Sequence, residues 1–316
     1  MARKHHVGPS TSRLKWSNST PPVCTVSPGE IVTFDLLDSS GAQVTPSSTT
    51  SDLSSLDLAT FDPIFGPVYI EGAKPGDVLE IEVLSLETGE WGFTGIFPNF
   101  GLLASEFPDT HLLKHYTWSN TDSSITFKPG IKVPLRPFLG VAGVAPAEDG
   151  EFSTIPPLET GGNIDCKHIT QGTKLYLPVR VSGALFSCGD GHAAQGDGEI
   201  CGTAIETPMK ATLRFNVRKD MPYVTSPHYD TRGSSHGSVQ SDLAVYAVLG
   251  IDSDLLEASK KAMRSLIAYL VSTKDLTKEE AYMLCSIAAD LKIAEIVDLP
   301  NFAVSASIPF SIFEDV

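Results

Sequence analysis

Alternation of apolar and polar residues, interrupted at short intervals by turn residues, is the feature that most constrains the fold of this chain. Residues 31–36 alternate in this way, as do residues 78–84, which follow a Pro-Gly-Asp turn signal at 75–77. Because successive side chains of a strand point to opposite faces, each run predicts a half-buried strand. Further strand-like runs are residues 124–133, 174–186, 200–206 and 211–217. With 26 glycines and 22 prolines among 316 residues, the chain is expected to consist largely of short strands joined by turns.

The period of the pattern changes towards the C-terminus. Between residues 254 and 270 the apolar residues recur at helical spacing. Thr277 and Glu280 form a capping-box pair, and the apolar residues that follow share one helical face: Ala281, Leu284, Ile287, Ala288 and Leu291. Residues 303–313 then alternate like a final strand. We therefore predict a mainly β protein, a jelly-roll-like antiparallel β-sandwich with a C-terminal pair of α-helices.

These patterns divide the chain into four segments of one structural domain. A loose polar segment is expected at residues 1–22, a β-sandwich core at 23–220, and a loop rich in polar residues, proline and glycine at 221–250. The helical pair and the final strand, residues 251–316, are expected to pack on the core. Four titratable residues of the loop are expected to be solvated, with a second metal site or a substrate gate as alternatives: His228, Asp230, His236 and Asp242.

The charge balance narrows the possible partners. With 23 Lys and Arg against 38 Asp and Glu, the formal net charge is −15, which disfavours nucleic acid and anionic membrane surfaces. No apolar run approaches the roughly 18 residues of a membrane-spanning helix, and the N-terminal residues lack the apolar stretch of a secretory signal. Five irregularly spaced cysteines indicate no disulfide framework, so a reducing compartment, the cytoplasm, is expected.

Two glycine-rich segments concentrate the residues that can carry chemistry. Residues 189–199 read GDGHAAQGDGE, and residues 161–165 read GGNID. Short polar side chains on such a backbone are unsuited to a core but suited to holding a metal ion or a reacting water. Within each segment two polar residues are two apart, so they share a face of an extended strand. The strand-like run 174–186 lies between the segments and could bring together six polar residues: Asn163, Asp165, Asp190, His192, Glu199 and Glu206.

The order of these motifs resembles that of the acetamidase/formamidase family. GGNID, the run LPVRVSGALF, GDGHAAQGDGE and an Ile-Glu pair follow one another, and further family-like blocks lie at residues 66–80, 91–98, 100–103, 137–140, 143–146, 280–285 and 289–293. The resemblance implies a metal-containing β-sandwich that hydrolyses a small carboxamide, of the formamide or acetamide class, to a carboxylate and ammonia. Two departures from the family pattern concern the substrate rather than the fold: the longer, more polar loop at 221–250, and Cys188 in place of an aromatic or small apolar residue.

The ligand types favour Zn²⁺ over Ca²⁺ as the expected divalent metal, because histidine is rarely a calcium ligand. We predict Asp165, Asp190 and His192 as its ligands. An all-oxygen set, in which Asn163 takes the place of His192, would suit Ca²⁺ instead. A bound metal is expected to activate water for attack on the amide. Without a metal, the same Gly and Asp residues would form two tight turns with Asx hydrogen bonds.

The remaining residues of the motifs are assigned to proton transfer and substrate binding. Glu199, or else Glu206, is the candidate general base for the activated water, and Asp190 belongs to the catalytic as well as the metal-binding set. Three residues are predicted to bind the substrate: Asn163, Gln195 and Phe97. The last of these belongs to an aromatic group interleaved with glycines that could wall an apolar pocket or pack in the core: Trp91, Phe93, Phe97 and Phe100.

Three alternatives remain open at this point. A nucleophilic Cys188 close to His192 is the rival mechanism for amide hydrolysis, although a buried, inert cysteine is commoner. A metal-stabilised binding module, for example for a carbohydrate, would use the same acidic turns without catalysis. An amidase for a larger amide would use the 221–250 loop to shape its pocket. Self-association is also expected, as a homodimer above all, because symmetric dimers are the commonest oligomers.

Overall fold

The computed structural model describes residues 4–234 and 244–313 of the chain. The strands are β1 (Lys4–Val7), β2 (Ser12–Arg13), β3 (Lys15–Trp16), β4 (Cys24–Val26), β5 (Ile31–Leu36), β6 (Ile64–Ile70), β7 (Val78–Thr88), β8 (Trp91–Ile96), β9 (Leu112–Thr117), β10 (Ser124–Lys128), β11 (Ile131–Pro134), β12 (Phe138–Val144), β13 (Phe152–Ser153), β14 (Pro157–Leu158), β15 (Gly161–Asn163), β16 (Lys174–Pro178), β17 (Phe186–His192), β18 (Met209–Arg218), β19 (His228–Asp230), β20 (Val245–Asp252), β21 (Asp290–Glu295) and β22 (Phe302–Pro309). The helices are α1 (Leu255–Thr273) and α2 (Lys278–Ala288). The predicted mainly β fold with a C-terminal helical pair is thus confirmed.

Two large sheets carry most of the strands. The larger has nine strands in the order β1-β5-β18-β7-β16-β19-β20-β22-β21, and the smaller has the order β14-β15-β12-β17-β6-β2, with β4 beside β6. Pairing is antiparallel throughout these orders except between β1 and β5, and the added β4 is parallel to β6. Some neighbours follow one another in the chain, as β19 and β20 do, but most are distant in sequence, as β5 and β18 are, so the sheets depend largely on long-range pairing.

The main core lies between the two sheets. Val32, Phe34 and Leu36, on one face of β5, are all buried, as the alternation in the sequence predicts. The ring of Phe186 on β17 lies 6.1 Å from that of Phe34 and 5.0 Å from that of Phe215 on β18, both edge to face. These contacts join the inner faces of the two sheets, and burying each such side chain contributes about 1.5–3 kcal/mol to folding.

The helical pair covers the outer face of the larger sheet. Asp254 caps α1 by accepting a hydrogen bond from the backbone of Glu257, and the predicted capping box of Thr277 and Glu280 opens α2. The buried residues of α1 include a row at four-residue spacing that packs against β20 and β22: Ala258, Ala262, Leu266 and Leu270. Leu291, which the helical pattern assigned to α2, lies in β21 instead.

The N-terminal segment differs from the predicted loose chain. From Lys4 onwards β1 pairs in parallel with β5, β2 pairs with β6, and β3 pairs with β13. Val7 and Trp16 are buried and anchor these short strands, although most of their other side chains face solvent. The prediction of a loose segment at residues 1–22 is therefore wrong for the residues from Lys4 onwards.

The predicted loop at residues 221–250 also contributes to the larger sheet. β19 and most of β20 fall within it and occupy interior positions of that sheet. His228 is buried rather than solvated, with its ring nitrogens 2.8 Å from the hydroxyl oxygen of Tyr246 and 2.7 Å from that of Ser265. A strand as short as β19 shows no alternation, so the sequence around it reads as a loop. Residues 235–243, with His236 and Asp242, lie outside the described residues.

Among the described residues, the structure contains no helix that is both long and apolar enough to cross a membrane.

Candidate active site

Strand β12 brings the two glycine-rich segments together. It pairs with β15 on one side, where Val141 lies opposite Asn163, and with β17 on the other, where Phe138 lies opposite His192. The run at residues 174–186, which was expected to connect the segments, instead supplies β16 to the larger sheet. The juxtaposition of the two motifs is therefore correct, but a third strand between them produces it.

Space for the cluster comes from a glycine on that third strand. A Cβ atom on Gly140 would lie 2.1 Å from Asp190 Oδ2, 2.6 Å from Asp165 Oδ1 and 2.9 Å from His192 Cε1. Only a residue without a side chain fits among these three groups. The backbone is also strained here, because Asp165, Asp190 and Glu199 have φ angles of 39°, 53° and 46°, in the left-handed region that side chains disfavour. Strain of this kind is concentrated at functional sites.

The polar side chains converge on His192. Its Nε2 lies 2.8 Å from Asp190 Oδ2, 3.2 Å from Glu206 Oε2 and 3.9 Å from Glu199 Oε1. On the other side of the ring, Nδ1 lies 3.8 Å from Asp165 Oδ1. All five side chains are buried. Glu206 reaches the cluster through an isolated bridge to His192 rather than from the strand predicted at residues 200–206.

Gln195 fixes the orientation of the imidazole. Its Nε2 donates a hydrogen bond to the backbone oxygen of Asp165 (2.9 Å), so its Oε1 faces His192 and accepts from Nδ1 (2.9 Å). His192 then carries a proton on Nδ1, which leaves Nε2 available as a ligand on the side of the carboxylates. Gln195 was predicted to bind substrate; its amide is instead turned towards these two protein groups.

The cluster holds more buried acids than one histidine can balance. Burial raises the pKa of Asp190 to about 8, and repulsion from Glu206 and Asp165 adds to the effect. Burial also raises the pKa of Glu199 well above its ordinary value. Burial alone would lower the pKa of His192, but the neighbouring carboxylates raise it well above its ordinary value. A divalent cation would relieve this excess of negative charge.

The ligand atoms present fit such a cation. Within the described parts of the chain, no hydrogen-bond donor of acceptable geometry reaches either carboxylate oxygen of Asp165, Oδ1 of Asp190 or Oε2 of Glu206. Buried oxygens of this kind are costly unless something binds them. Two sets of ligand atoms lie within 4.8 Å of one another: Asp165, His192 and Glu199, and Asp190, His192 and Glu206. Glu199 and Glu206, which the sequence predicted only as general bases, are therefore also possible ligands of a metal.

If His192 is a metal ligand, replacing Gln195 by alanine should weaken the binding of a divalent metal by about 10- to 100-fold, the usual cost of losing a group that orients a metal ligand. Competition with a chelator of known affinity measures the effect. Gln171→Ala, at an exposed position, is the matched control and should leave the affinity unchanged. Equal affinities for the two variants would contradict the orienting role of Gln195.

Asp298 belongs to the site but was not predicted from the sequence. Its Oδ2 accepts a hydrogen bond from Asn163 Nδ2 (2.9 Å), and its backbone N–H donates to Glu295 Oε2 (3.0 Å). Asn163 keeps Oδ1 without a partner among the described residues, and it lines the same cavity as Asp298. Asp298 is a single acidic residue before Leu-Pro and lies far along the chain from the two motifs. It therefore has no regular spacing to other polar residues from which its role could be predicted.

A cavity of about 290 Å³ opens onto the cluster. Its lining includes Asp190, His192, Glu199 and Glu206 together with Phe97. Of the four aromatic residues that were considered as a pocket wall, Phe97 and Phe100 line it, Phe93 is fully buried, and Trp91 stacks on Phe93.

Cys188 is placed in the core rather than at the cavity. Its side chain is fully buried within the cluster of apolar residues between the two sheets. Burial raises the pKa of its thiol well above the ordinary value. Because the thiolate is the reactive form, both observations argue against the rival mechanism through Cys188.

Comparisons with known proteins agree with the motifs. The family model described as the Acetamidase/Formamidase family matches residues 3–151 and 147–315. A formamidase of Methylophilus methylotrophus is 26% identical over 95% of this chain and 89% of its own length. An acetamidase of Mycolicibacterium smegmatis is 29% identical over 61% of this chain and 62% of its own length. Among solved structures, an acetamidase from Bacillus halodurans superposes with a TM-score of 0.86 at 30% identity, over 98% of both chains. An acetamidase from Yersinia enterocolitica also superposes with a TM-score of 0.86. It is 26% identical in sequence, over 99% of this chain and 94% of its own. The chain belongs to the acetamidase/formamidase family.

Proposed function

We propose that this chain hydrolyses a small aliphatic carboxamide, of the formamide or acetamide class, to a carboxylate and ammonia. The observation that carries the proposal is the buried cluster of four carboxylates around His192, which opens onto a cavity of about 290 Å³. The formamidase and acetamidase names of the relatives support the substrate class. The activity belongs to hydrolases of carbon–nitrogen bonds in linear amides.

We assign His192 as a ligand of a divalent metal, together with the predicted Asp165 and Asp190. The two aspartates fall in different sets of close ligand atoms, Asp165 with His192 and Glu199, and Asp190 with His192 and Glu206, so a glutamate would complete either set. Zn²⁺ is favoured over Ca²⁺ because a histidine belongs to both sets. The carboxylate oxygens without hydrogen-bond donors, noted above for Asp165 and Asp190 among the described residues, support this assignment. When bound, such a metal would lower the pKa of a water molecule to about 7 and polarise an amide carbonyl.

Side chains of the protein are proposed to carry out the proton transfers. Glu206 is held in place, because its Oε1 accepts from the backbone N–H of Ala204 (2.7 Å) and its Oε2 lies against His192. Glu199 is the less restrained of the two glutamates and lines the cavity, so we assign it as the general base. It takes a proton from the attacking water and returns it to the amide nitrogen as the carbon–nitrogen bond breaks. We assign Asn163 Oδ1 as the acceptor of a hydrogen bond from the substrate's amide group; its lack of a partner among the described residues and the position of Asn163 in the cavity lining support this role.

Replacing Glu199 by glutamine should lower kcat by about 100- to 10,000-fold, the usual contribution of a general base, while metal remains bound. Steady-state ammonia release and metal content, measured on the same samples, test this. Glu159→Gln removes an exposed carboxylate and serves as the matched control. A normal rate in Glu199→Gln would transfer the role of base to Glu206, and Glu206→Gln would then be the variant that loses rate.

Ammonia release from formamide and acetamide, followed with the purified chain, is the direct test of the proposed function. Release above the rate of the His192→Ala variant supports it. An absence of release from a protein that retains its metal would instead favour the metal-stabilised binding module.

We also propose a homodimer in the cytoplasm. The self-association is supported by an apolar strip on α2, where Tyr282, Met283 and Ile287 have exposed fractions of 63%, 62% and 83%. Exposed apolar patches of this kind commonly mark contacts between proteins. Sedimentation velocity at micromolar concentrations decides the point: a single monomeric species would contradict the dimer.

A further inference from the structure

The cavity is larger than formamide or acetamide requires. Its volume is about 290 Å³, whereas an apolar cavity of about 150 Å³ already accepts benzene. Both short amides have fewer non-hydrogen atoms than benzene. After one of them has bound against the acids, space remains for a substituent at least as large as an aromatic ring.

The lining of the cavity combines a polar and an apolar set of residues. The polar set contains His192, Asn163 and the acids, Asp62 among them, with Ser39, Asn99 and Thr203, and the apolar set consists of Leu58, Phe61, Phe97, Pro98, Phe100 and Ile155. The rings of Phe61 and Phe97 pack edge to face, with centroids 5.8 Å apart and planes at 83°. A third aromatic ring packs favourably on such a pair. A ligand with a carboxamide at one end and an apolar group at the other matches this combination.

Two glycines hold the aromatic wall in place. The ring of Phe97 lies over Gly95, where a Cβ atom would be 2.8 Å from Cε2. The ring of Phe100 lies over Gly202 in the same way, with a Cβ atom 2.4 Å from Cδ1. Neither ring could keep its position over a larger residue. The apolar wall is therefore preformed by its backbone supports, which reduces the entropy lost when a ligand binds.

We propose that this cavity selects primary amides with an aromatic acyl group, of the phenylacetamide class, over acetamide. The proposal rests on the amidase function proposed above and extends its substrates from short aliphatic amides to acetamides that carry an aromatic ring. The carboxamide lies at Asn163 and the cluster around His192, and the ring lies against Phe61 and Phe97. Water adds to the carbonyl carbon, the carbon–nitrogen bond breaks, and the nitrogen leaves as ammonia with the proton carried by Glu199. The other product is the arylacetic acid, which gives its proton to the ammonia, so the products are the arylacetate and ammonium.

The test compares kcat/KM for phenylacetamide and acetamide with the wild-type protein, followed by ammonia release. We expect phenylacetamide to be favoured at least about 10-fold, because each methylene-sized apolar contact in a pocket is worth about 10- to 200-fold. Phe61→Ala should reduce this ratio at least about 10-fold. Phe127→Ala, which removes an exposed phenylalanine of β10, is the matched control and should leave the ratio unchanged.

The outcomes separate the two proposals. Hydrolysis of acetamide with a lower kcat/KM for phenylacetamide, or with none, would overturn the aromatic specificity and leave the amidase function intact. Hydrolysis of neither amide by the metal-loaded protein would overturn the amidase function and this inference with it. A preference for phenylacetamide that survives in Phe61→Ala would show that the ring does not bind at the proposed wall. The wild-type comparison needs no variant, so a misfolded mutant cannot obscure it.

Discussion

Gly140→Ala is expected to lower amidase activity and metal binding by at least about 100-fold, although Gly140 itself carries no functional group. Its new methyl carbon would lie 2.1 Å from Asp190 Oδ2 and 2.6 Å from Asp165 Oδ1, far inside contact distance. Those side chains must move, and loss of a group that merely orients a metal ligand already costs about 10- to 100-fold. Overpacking should also lower the free energy of unfolding by about 1–3 kcal/mol. Ammonia release, metal content and denaturant unfolding measure the three effects.

Gly196→Ala is the matched control for this variant. Gly196 lies in the same glycine-rich segment, but no atom of the described chain comes within 4 Å of a Cβ placed there. Its activity should equal that of the wild type, and its free energy of unfolding should be unchanged or higher by up to about 1 kcal/mol. If Gly140→Ala retained full activity and metal, the cluster could not have the tight geometry described for it.

His192→Ala is expected to lose both the metal and the activity, with a fall in kcat/KM of at least about 100-fold, because it removes a proposed ligand itself rather than an orienting group. His192 lies at the centre of the cluster, with Asp190 and Glu206 at 2.8 Å and 3.2 Å from Nε2. Its removal leaves those carboxylates buried together without a positive partner. Metal analysis and ammonia release on the same preparation are the measurements.

His6→Ala is the control for the loss of an imidazole. Its side chain is 60% exposed and contacts Asp35 on the edge of the larger sheet. Metal content and rate should match those of the wild type. A His192→Ala protein that kept its metal and its rate would exclude His192 as a ligand and contradict the proposal that the metal binds in this cluster.

The strand and helix pattern was predictable where the side chains alternate or recur regularly. In residues 31–36 and 211–217, the alternation of apolar and polar residues identifies the face of the strand that is buried. The capping box at Thr277 marks the start of α2. The strands near the N-terminus and β19 were missed because strands of two to four residues are too short to show a period. β20 is eight residues long but is buried on both faces, so its sequence does not alternate. These strands are ordered by backbone hydrogen bonds to strands that are distant in the sequence, and a local sequence pattern does not reveal such pairing.

The candidate site was predictable as a set of residues but not as an arrangement. The spacing of Asp190 and His192 marked the segment that lines the cavity. Five of the six polar residues proposed from the motifs line the cavity, and the sixth, Asp165, lies beside His192. The role of Gly140 was not visible, since it depends on which strand separates the two motifs. Asp298 was missed because it lies 135 residues from Asn163, its hydrogen-bond partner. Contacts at that separation are set by the topology of the sheets.

The most direct test of a metal-dependent amidase is to strip the protein with a chelator and return Zn²⁺ or Ca²⁺ stepwise. Bound metal and ammonia release from acetamide and phenylacetamide are followed in the same samples. We expect the rate to disappear on stripping and to return in proportion to bound Zn²⁺, reaching its full value when the cluster around His192 is saturated. Full release from the stripped protein would contradict the metal-dependent account.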